Sequence, residues 1–262
     1  LGDFGADVIK VERPGTGDYA RTLGPFPGDA PHPEKSGLFL YLNTNKRSVV
    51  LDLKTVRGVE AVKELVKEAS VLVESFRPGV MARLGLGYDT LSRVNPDLII
   101  TSVSNFGQTG PYRDYTATDL VFYAMGGNMT RLGLPDRYPL QLVDYHVQYQ
   151  AGQVATMATL DAWYAQRYRG MGGQQVDISI FETQECSING SMSSLVGYQY
   201  TGERPVRLSQ GGMVGLPGNG YFPCQDGYIA VSAGIARWSN VVAMLGMPEL
   251  LNDPRFCTPQ AQ

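Results

Sequence analysis

Cysteine and histidine are scarce in this sequence, which excludes several kinds of site. The three cysteines, Cys186, Cys224 and Cys257, are far apart and odd in number. They fit reduced thiols in a cytoplasmic protein better than a disulfide framework. The two histidines, His32 and His146, are too few for a histidine-based site, and no Cys/His group has metal-ligand spacing. We therefore expect a cytoplasmic protein without a metal centre.

The sequence also lacks the signatures of several partner classes. Lysine and arginine number 22 against 25 aspartates and glutamates, a formal charge of −3, so we expect no nucleic-acid groove. No apolar run approaches the roughly 20 residues that span a bilayer, and no secretory leader is visible. The dinucleotide fingerprint G-x-G-x-x-G is absent, because Gly85 and Gly87 are followed by Thr90 where the third glycine should stand. No P-loop is present either, so nucleic-acid, membrane and nicotinamide functions are not expected.

What the sequence does contain is an alternation of strand and helix patterns. Apolar, β-branched runs predict strands, and apolar residues at helical spacing predict helices. Strands that are apolar along most of their length and alternate with helices predict a doubly wound, mostly parallel sheet in a Rossmann-like large domain. The predicted strands span residues 6–12, 48–53, 71–74, 98–103 and 176–181, and the predicted helices span 56–69, 144–168 and about 182–199.

The remaining segments predict the domain organisation. Residues 13–47 are rich in Gly, Pro and Asn and predict a long loop with little regular structure. We assign 1–200 to the large α/β domain, 201–220 to a Gly-rich linker or active loop, and 221–262 to the start of a smaller second domain. That second part has a predicted strand at 228–232 and a helix at about 236–246. Because residue 1 is Leu and the last residues form no closing element, we expect a chain truncated at both ends.

Positively charged side chains recur where the predicted strands end. Arg13 follows the first strand and Lys54 follows the second, while Arg77 and Arg83 flank a turn after the third. Ligands of doubly wound sheets bind beyond the carboxyl ends of the strands. These residues could therefore converge on a phosphorylated nucleotide. The alternative is that they are solvated loop charges, and spacing alone does not decide between the two.

Seven collinear stretches resemble the class III (CaiB/BaiF) CoA-transferase family over essentially the whole chain. The family resemblance implies a doubly wound large domain plus a small domain, with two protomers interlaced like linked rings. It also implies an N-terminal strand and helix before residue 1 that contribute to the active site. The stretches are Gly5-Ala-Asp-Val-Ile-Lys-Val-Glu-Arg-Pro14, Asn43-Thr-Asn-Lys-Arg-Ser-Val-Val-Leu-Asp-Leu-Lys54, Glu74-Ser-Phe-Arg-Pro-Gly79 with Arg83-Leu-Gly-Leu-Gly-Tyr88, Asn105-Phe-Gly-Gln-Thr-Gly-Pro-Tyr112, Gly173-Gln-Gln-Val-Asp-Ile-Ser-Ile-Phe-Glu182, Asp226-Gly-Tyr-Ile-Ala-Val231 and Asp253-Pro-Arg-Phe256.

The same resemblance implies a set of coenzyme A contacts. Guanidinium and ammonium groups suit the phosphates of CoA, and Phe and Leu side chains can flank its adenine. The sequence departs from the family pattern at Ser75, where an Asn is usual, and at Ser104, where some members have a Lys. The implied CoA-binding residues are Arg13, Leu51, Lys54, Phe76 and Arg83.

The family's catalytic carboxylate has two candidate positions here. The resemblance implies an Asp four residues before a Gly near the start of the Ala-rich helix. That Gly is Gly152, so a gapless register places Gln148 at the nucleophile position, and an insertion of about one turn would place Asp144 there. Asp144 has a structural alternative, because an Asp at a helix start is commonly an N-cap or a partner of the helix dipole.

Two further family features bear on the chemistry. Gly215, Gly218 and Gly220 resemble the loop that covers the reacting carboxylate in transferases, since glycine permits close approach and movement. The alternative is a plain linker. The racemase branch uses a His–Asp pair and a Glu, but Thr118 stands at the His position and Ile235 at about the Glu position. The resemblance therefore does not favour an acyl-CoA racemase.

The expected function is transfer of CoA from an acyl-CoA thioester to a carboxylic acid through an aspartyl intermediate. The alternative is a non-catalytic CoA-binding subunit that supports an Asp-bearing paralogue. No cofactor is expected to be permanently bound, because CoA and acyl-CoA are substrates. The expected assembly is an interlaced homodimer or a heteromer with a paralogue.

Overall fold

The computed structural model describes residues 1–134, 136–142, 145–185, 191–202, 219–232 and 237–255. These residues belong to two compact units. The first unit comprises Leu1–Thr116 and Ala151–Ile180, and the second comprises Ala117–Gln150 and Phe181–Gln262. Among the helices so described, none is both long enough and apolar enough to cross a membrane.

Strands and helices alternate along the first unit, and helices dominate the second. Short 3₁₀ turns at Gly2–Phe4, Tyr19–Thr22, Pro27–Asp29, Asn128–Arg131 and Pro248–Leu251 connect some of them. In chain order the elements are β1 (Val8–Glu12), α1 (Gly37–Leu42), β2 (Lys46–Val50), α2 (Val56–Glu68), β3 (Val71–Glu74), α3 (Val80–Arg83), α4 (Tyr88–Val94), β4 (Ile99–Ser104), α5 (Asp119–Met125), α6 (His146–Arg169), β5 (Gln175–Ser179), α7 (Ile180–Glu185), α8 (Ser191–Thr201), β6 (Asn219–Cys224), β7 (Gly227–Ser232) and α9 (Trp238–Leu245).

The strands of the first unit are parallel, as the sequence predicted. β1 pairs with β2, in register from Val8 opposite Lys46. β3, β4 and β5 form a second parallel sheet in that order, with Ile100 of β4 opposite Gln175 of β5. The α/β class is thus confirmed, and its described strands lie in two parallel sheets. The second unit contains one antiparallel pair, β6 with β7.

Both faces of β4 are covered by helices. Side chains alternate along a strand, so Leu98 and Ile100 share one face, where they form a core with α2 and α4. Thr101 points to the opposite face, and its hydroxyl is 2.7 Å from the hydroxyl of Thr159 in α6. Ala155 and Ala162 of α6 lie on the same side as Thr159, and each is only 7% exposed. Helices on both faces are what a doubly wound sheet requires.

Local signals explain where α2 begins and ends. The Thr55 hydroxyl caps its N-terminus by accepting from the Gly58 amide at 3.1 Å. Val62 and Val66 then recur four apart and are buried. At the other end the Asn95 side chain donates to the carbonyls of Val66 and Ala69, both at 2.9 Å. The helix is therefore fixed by a cap, a buried stripe and an amide that satisfies its last carbonyls.

Some elements differ from the sequence-based expectation. The segment 13–47 contains α1, which the prediction of a long loop missed, and α5 and β6 were not anticipated. The helix predicted at about 182–199 corresponds to two helices, α7 and α8, and residues 186–190 between them lie outside the described part. Residues 203–218 of the predicted linker also lie outside it, so the domain boundary at 201–220 stays a prediction.

Candidate functional site

The turn that follows β3 carries two of the candidate CoA-binding residues. The Glu74 carboxylate accepts from the amide of Phe76 at 2.8 Å, which leads the chain away from the sheet. Phe76 is 42% exposed, so its side chain is accessible to a ligand. Gly79 then adopts φ +78°, a conformation that favours glycine, and begins the short helix α3 that ends at Arg83.

Lys54 and Arg83 line the same open pocket. Lys54 follows β2 and precedes α2, whereas Arg83 lies beyond β3, so the fold brings together residues that are distant in sequence. The pocket has a volume of about 320 Å³ and combines an apolar wall with two cationic side chains and one carboxylate. It is lined by Leu53, Lys54, Thr55, Val56, Val59, Glu60, Arg83 and Leu84.

Leu51 and Arg13 have other surroundings. Leu51 is partly buried and packs against the core of the first unit, and the neighbouring Leu53 supplies the pocket wall. Arg13 directly follows β1, and its Nε donates to the hydroxyl of Thr16 at 2.9 Å within the same loop. Neither residue lines the pocket that contains Lys54 and Arg83. Their predicted role in CoA binding stays a prediction.

Arg21, which the sequence did not single out, fixes the loop that follows β1. Its Nε and Nη2 donate to the two carboxylate oxygens of Glu12 at 2.8 and 2.9 Å. The hydroxyl of Ser48 and the amide of Asp18 also donate to Glu12, which is only 4% exposed. The hydrogen bond from Arg21 is the largest cause that lowers the pKa of Glu12 to about 2. The only sequence signal for the pair of Glu12 and Arg21 is the position of Glu12 at the end of the β-branched run 6–12.

The loop after β4 is held at the carboxyl edge of the second sheet. Phe106 is buried and its ring centroid lies 5.8 Å from that of Tyr112 and 6.3 Å from that of Tyr115. The backbone amide of Gln108 donates to the carboxylate of Asp177, the middle residue of β5, at 2.9 Å. These contacts fix the position of Arg113, a further basic residue at this edge that the sequence did not single out.

In the second unit, an amide rather than a carboxylate lies in the described first turn of α6. Gln148 donates through Nε2 to Oδ1 of Asp119, the first residue of α5, at 2.8 Å. The other carboxylate oxygen of Asp119 is buried and has no hydrogen-bond partner among the described residues, and neither has Nε2 of His146. Tyr123 packs edge-on against His146 at 6.1 Å, and burial raises the pKa of Tyr123. The sequence signals Asp119 only through its place next to Thr118, the residue at the His position of the racemase branch.

Several candidate residues lie outside the part of the chain that the structure describes. They are Asp144, the alternative nucleophile, and Gly215, Gly218 and Ile235. Gly220 lies in β6, opposite Val231 of β7. Within the part of the chain that the structure describes, no three His, Cys, Asp or Glu side chains are grouped as metal ligands would be.

Comparison with known proteins gives one consistent result. Residues 1–262 match the family model described as CoA-transferase family III. The succinyl-CoA–D-citramalate CoA-transferase of Chloroflexus aurantiacus is 37% identical, over 100% of this chain and 63% of its own length. The acetyl-CoA:oxalate CoA-transferase of Acetobacter aceti is 36% identical, over 98% and 64%. The succinyl-CoA–L-malate CoA-transferase beta subunit of Chloroflexus aurantiacus is 35% identical, over 95% and 60%.

A solved structure of a family protein has a fold similar to that of this chain. The crystal structure of a CAIB/BAIF family protein from Brucella suis has a TM-score of 0.81 and 32% sequence identity, over 99% of this chain and 67% of that chain. The chain spans less than two thirds of the length of the curated relatives named above.

Proposed function

This chain belongs to CoA-transferase family III, and from that membership we propose that it transfers coenzyme A from an acyl-CoA thioester to a carboxylic acid. The observation that carries the proposal is the pocket shared by Lys54 and Arg83. Both residues are CoA-binding positions by family resemblance, independently of their proximity. Lys54 and Arg83 come from separate segments and share one open pocket. Such a pair suits a phosphorylated ligand and is not expected of solvated charges placed independently on the surface.

The proposed CoA site combines charged and apolar groups. Lys54 and Arg83 would hold phosphate oxygens, and the apolar wall formed by Val56, Val59 and Leu84 would contact the uncharged parts of the ligand. Phe76, whose ring is 42% exposed, would stack on the adenine. Arg13 and Leu51 remain part of the proposed site on family resemblance alone.

The proposed chemistry uses an aspartate as a nucleophile. Its carboxylate attacks the thioester carbonyl, forms an acyl-aspartyl anhydride and releases the CoA thiolate. The thiolate then attacks the aspartyl carbonyl, which gives an aspartyl-CoA thioester and frees the first acid. The acceptor carboxylate repeats the two steps in reverse, leaving with CoA and regenerating the aspartate. Asp144 is the carboxylate of this chain proposed for the role. A loop containing Gly215 and Gly218 is proposed to cover it, whereas Gly220, also expected in that loop, lies in β6.

The relatives indicate a class of acid. The succinyl, citramalate, oxalate and malate groups in their names are all short dicarboxylic acids. We therefore propose a short dicarboxylate as the acceptor. A second carboxylate gives such an acid a charged handle by which the site could position the reacting group.

A second function is favoured by one specific observation. In the described part of α6, position 148 is an amide that donates to Asp119, and an amide cannot replace the aspartate nucleophile. One relative is named as a beta subunit. The alternative is therefore a CoA-binding subunit whose catalytic aspartate comes from a paralogue in a heteromer. In either case we propose a protein that assembles as an interlaced dimer or heteromer, because α6 exposes large apolar side chains that a partner could cover. They are Val154, Met157, Leu160, Tyr164 and Tyr168. We also propose a cytoplasmic location, from the scarcity of cysteine.

The CoA-binding part of the proposal is tested by calorimetry. Arg83→Ala removes charge-assisted hydrogen bonds to phosphate, so CoA binding should weaken by about 1.5–3 kcal/mol. Arg93→Ala, at an exposed site in α4 away from the pocket, is the matched control and should bind CoA like the wild type. Equal CoA affinities for the wild type and Arg83→Ala would refute the assignment of Arg83.

A further inference from the structure

Two guanidinium groups meet over the Cα of Gly79. A Cβ atom placed on Gly79 would lie 3.3 Å from Nη1 of Arg83 and 3.6 Å from Nη2 of Arg113. The two nitrogens are therefore no more than about 7 Å apart. Two hydrogen bonds of about 2.9 Å, made to two oxygens of a single phosphate, bridge a separation of this order.

Each guanidinium reaches this region from a separate, well-fixed element. Arg83 ends α3 after β3, and Arg113 belongs to the loop after β4. β3 and β4 are parallel neighbours, so both loops leave the same carboxyl edge of the sheet, where ligands of such sheets bind. The loop of Arg113 is fixed by Phe106 and by the bond from Gln108 to Asp177, so its approach to Gly79 is built into the fold.

Both side chains have hydrogen-bonding capacity to spare. The Nε of Arg113 is buried and has no hydrogen-bond partner among the described residues. Among the described residues, the carboxylate that approaches Arg113 is that of the exposed Asp114, at 3.8 Å from Nη1, which is too long for a hydrogen bond. No ion pair of Arg83 occurs in the described part of the chain. Two like charges held together without a strong acid between them repel each other, and a bound anion would relieve that repulsion.

The charge of the pair selects among the phosphates of CoA. Each phosphate of the diphosphate bridge carries one negative charge, whereas a phosphomonoester carries nearly two at neutral pH. Two guanidinium groups match the dianion. Building on the proposed function, we propose that Arg113 and Arg83 together bind the 3′-phosphate of CoA, and that Arg113 thereby sets the preference for CoA over dephospho-CoA. Glycine is favoured at position 79 by its φ of +78°, and a Cβ there would crowd Nη1 of Arg83 at 3.3 Å.

The test compares two ligands on the purified protein by calorimetry. The wild type should bind CoA more tightly than dephospho-CoA, which lacks only the 3′-phosphate. Arg113→Ala should weaken CoA binding by about 10- to 100-fold, the size expected for charge-assisted hydrogen bonds, and leave dephospho-CoA binding nearly unchanged. Arg113→Lys should fall between the two, because it keeps the charge and loses the fork. Arg93→Ala should change neither affinity.

The ratio of the two affinities separates binding from structure. If Arg113 only supported the loop, Arg113→Ala would weaken both ligands alike, and that result overturns the inference. Unchanged binding of CoA overturns it too. If Arg113→Ala does not fold, the ratio measured with Arg113→Lys decides in the same way. A wild type that binds neither ligand would instead refute the proposed function on which the inference rests.

Discussion

At the scale of single residues, the carboxylate of Glu12 holds a segment that has little regular structure. It accepts hydrogen bonds from Arg21, Ser48 and the amide of Asp18, so one buried group ties β1 to β2 and to the loop that follows. Arg21 also stacks on the ring of Phe39, with its guanidinium carbon 3.8 Å from the ring centroid. Loss of the carboxylate would leave these donors without their acceptor.

This arrangement predicts a pH-dependent contribution to stability. Because the folded state lowers the pKa of Glu12 from 4.5 to about 2, its stabilisation is complete above pH 4.5 and is lost as the pH falls toward 2. Glu12→Gln should cost about 1.5–3 kcal/mol of unfolding free energy near pH 7, and less near pH 3. Urea unfolding of both proteins across this range measures the difference.

The other carboxylate that Arg21 contacts provides the control. Glu34 has an exposed side chain, so Glu34→Gln should change the unfolding free energy by at most about 1 kcal/mol at any pH. A cost of Glu12→Gln that stays the same from pH 7 to pH 3 would mean that the ionised carboxylate is not the source of the stability.

Single residues also show how far the candidate site can be predicted from sequence. The sequence predicts that Lys54 and Arg83 lie close together, because each lies beyond a predicted strand of one sheet. The structure has β2 and β3 in separate sheets, yet both residues line one pocket. Arg113 and Arg21 were not predictable, since their positions depend on how two long loops fold back. Aromatic packing around Phe106 and a bidentate pair with Glu12 determine those positions, and neither contact has a short-range sequence pattern.

At the scale of elements, glycines within two different helices should tolerate substitution by alanine very differently. Gly58 lies in the first turn of α2, where a Cβ would come within 1.9 Å of the Asp52 carbonyl oxygen. Gly197 lies inside α8, and no atom of the described residues is within 4 Å of the position its Cβ would take. The two glycines therefore have opposite structural roles, although propensity alone treats them alike.

These two glycines give a paired prediction. Alanine favours a helix over glycine by about 0.8–1 kcal/mol, so Gly197→Ala should raise the unfolding free energy by up to that amount. Gly58→Ala should instead lower it by about 1–3 kcal/mol, because the backbone at Asp52 must move. Urea unfolding of the two variants compares them directly. A stabilising Gly58→Ala would show that this turn can shift without strain.

Elements with strong periodicity and clear boundaries were predicted well, and short ones were missed. β3 was predicted at its observed bounds, and α2 differed by one residue, because an apolar stripe and capping residues mark it. α5 has only seven residues, of which nearly all are apolar, and such a run does not distinguish helix from strand. α1 is shorter still and depends on the cap that Ser36 supplies to the Phe39 amide.

At the scale of the whole molecule, α6 has one face that is satisfied within the chain and one that is not. Three alanines of the helix, Ala151, Ala155 and Ala162, are buried on the side that faces the sheet. A partner protomer would therefore contact the large exposed side chains of α6, including Met157 at 66% and Tyr168 at 63% exposure. Periodicity could predict the parallel α/β fold, whereas pairing of protomers depends on surfaces that no local pattern describes.

The composition of the assembly determines whether this chain can react by itself. A carboxylate can attack a thioester carbonyl to form an anhydride, but the amide of Gln148 cannot, because its oxygen carries no charge and its nitrogen is a poor nucleophile. In the described structure that amide is engaged with Asp119. An active homomer therefore needs another carboxylate, for which Asp144 is the candidate, and a heteromer would obtain one from the second subunit.

Trapping the intermediate distinguishes these assemblies. If Asp144 is the nucleophile, the purified protein incubated with its acyl-CoA should form a hydroxylamine-sensitive adduct on Asp144. Asp144→Asn should then abolish transfer, by at least about 10³-fold, while CoA binding persists. If this chain is a non-catalytic subunit, it should bind CoA but give no adduct and no turnover until a subunit bearing the aspartate is added. Mass spectrometry of the labelled peptide decides: a label on another residue excludes Asp144, and any label on this chain excludes the non-catalytic subunit.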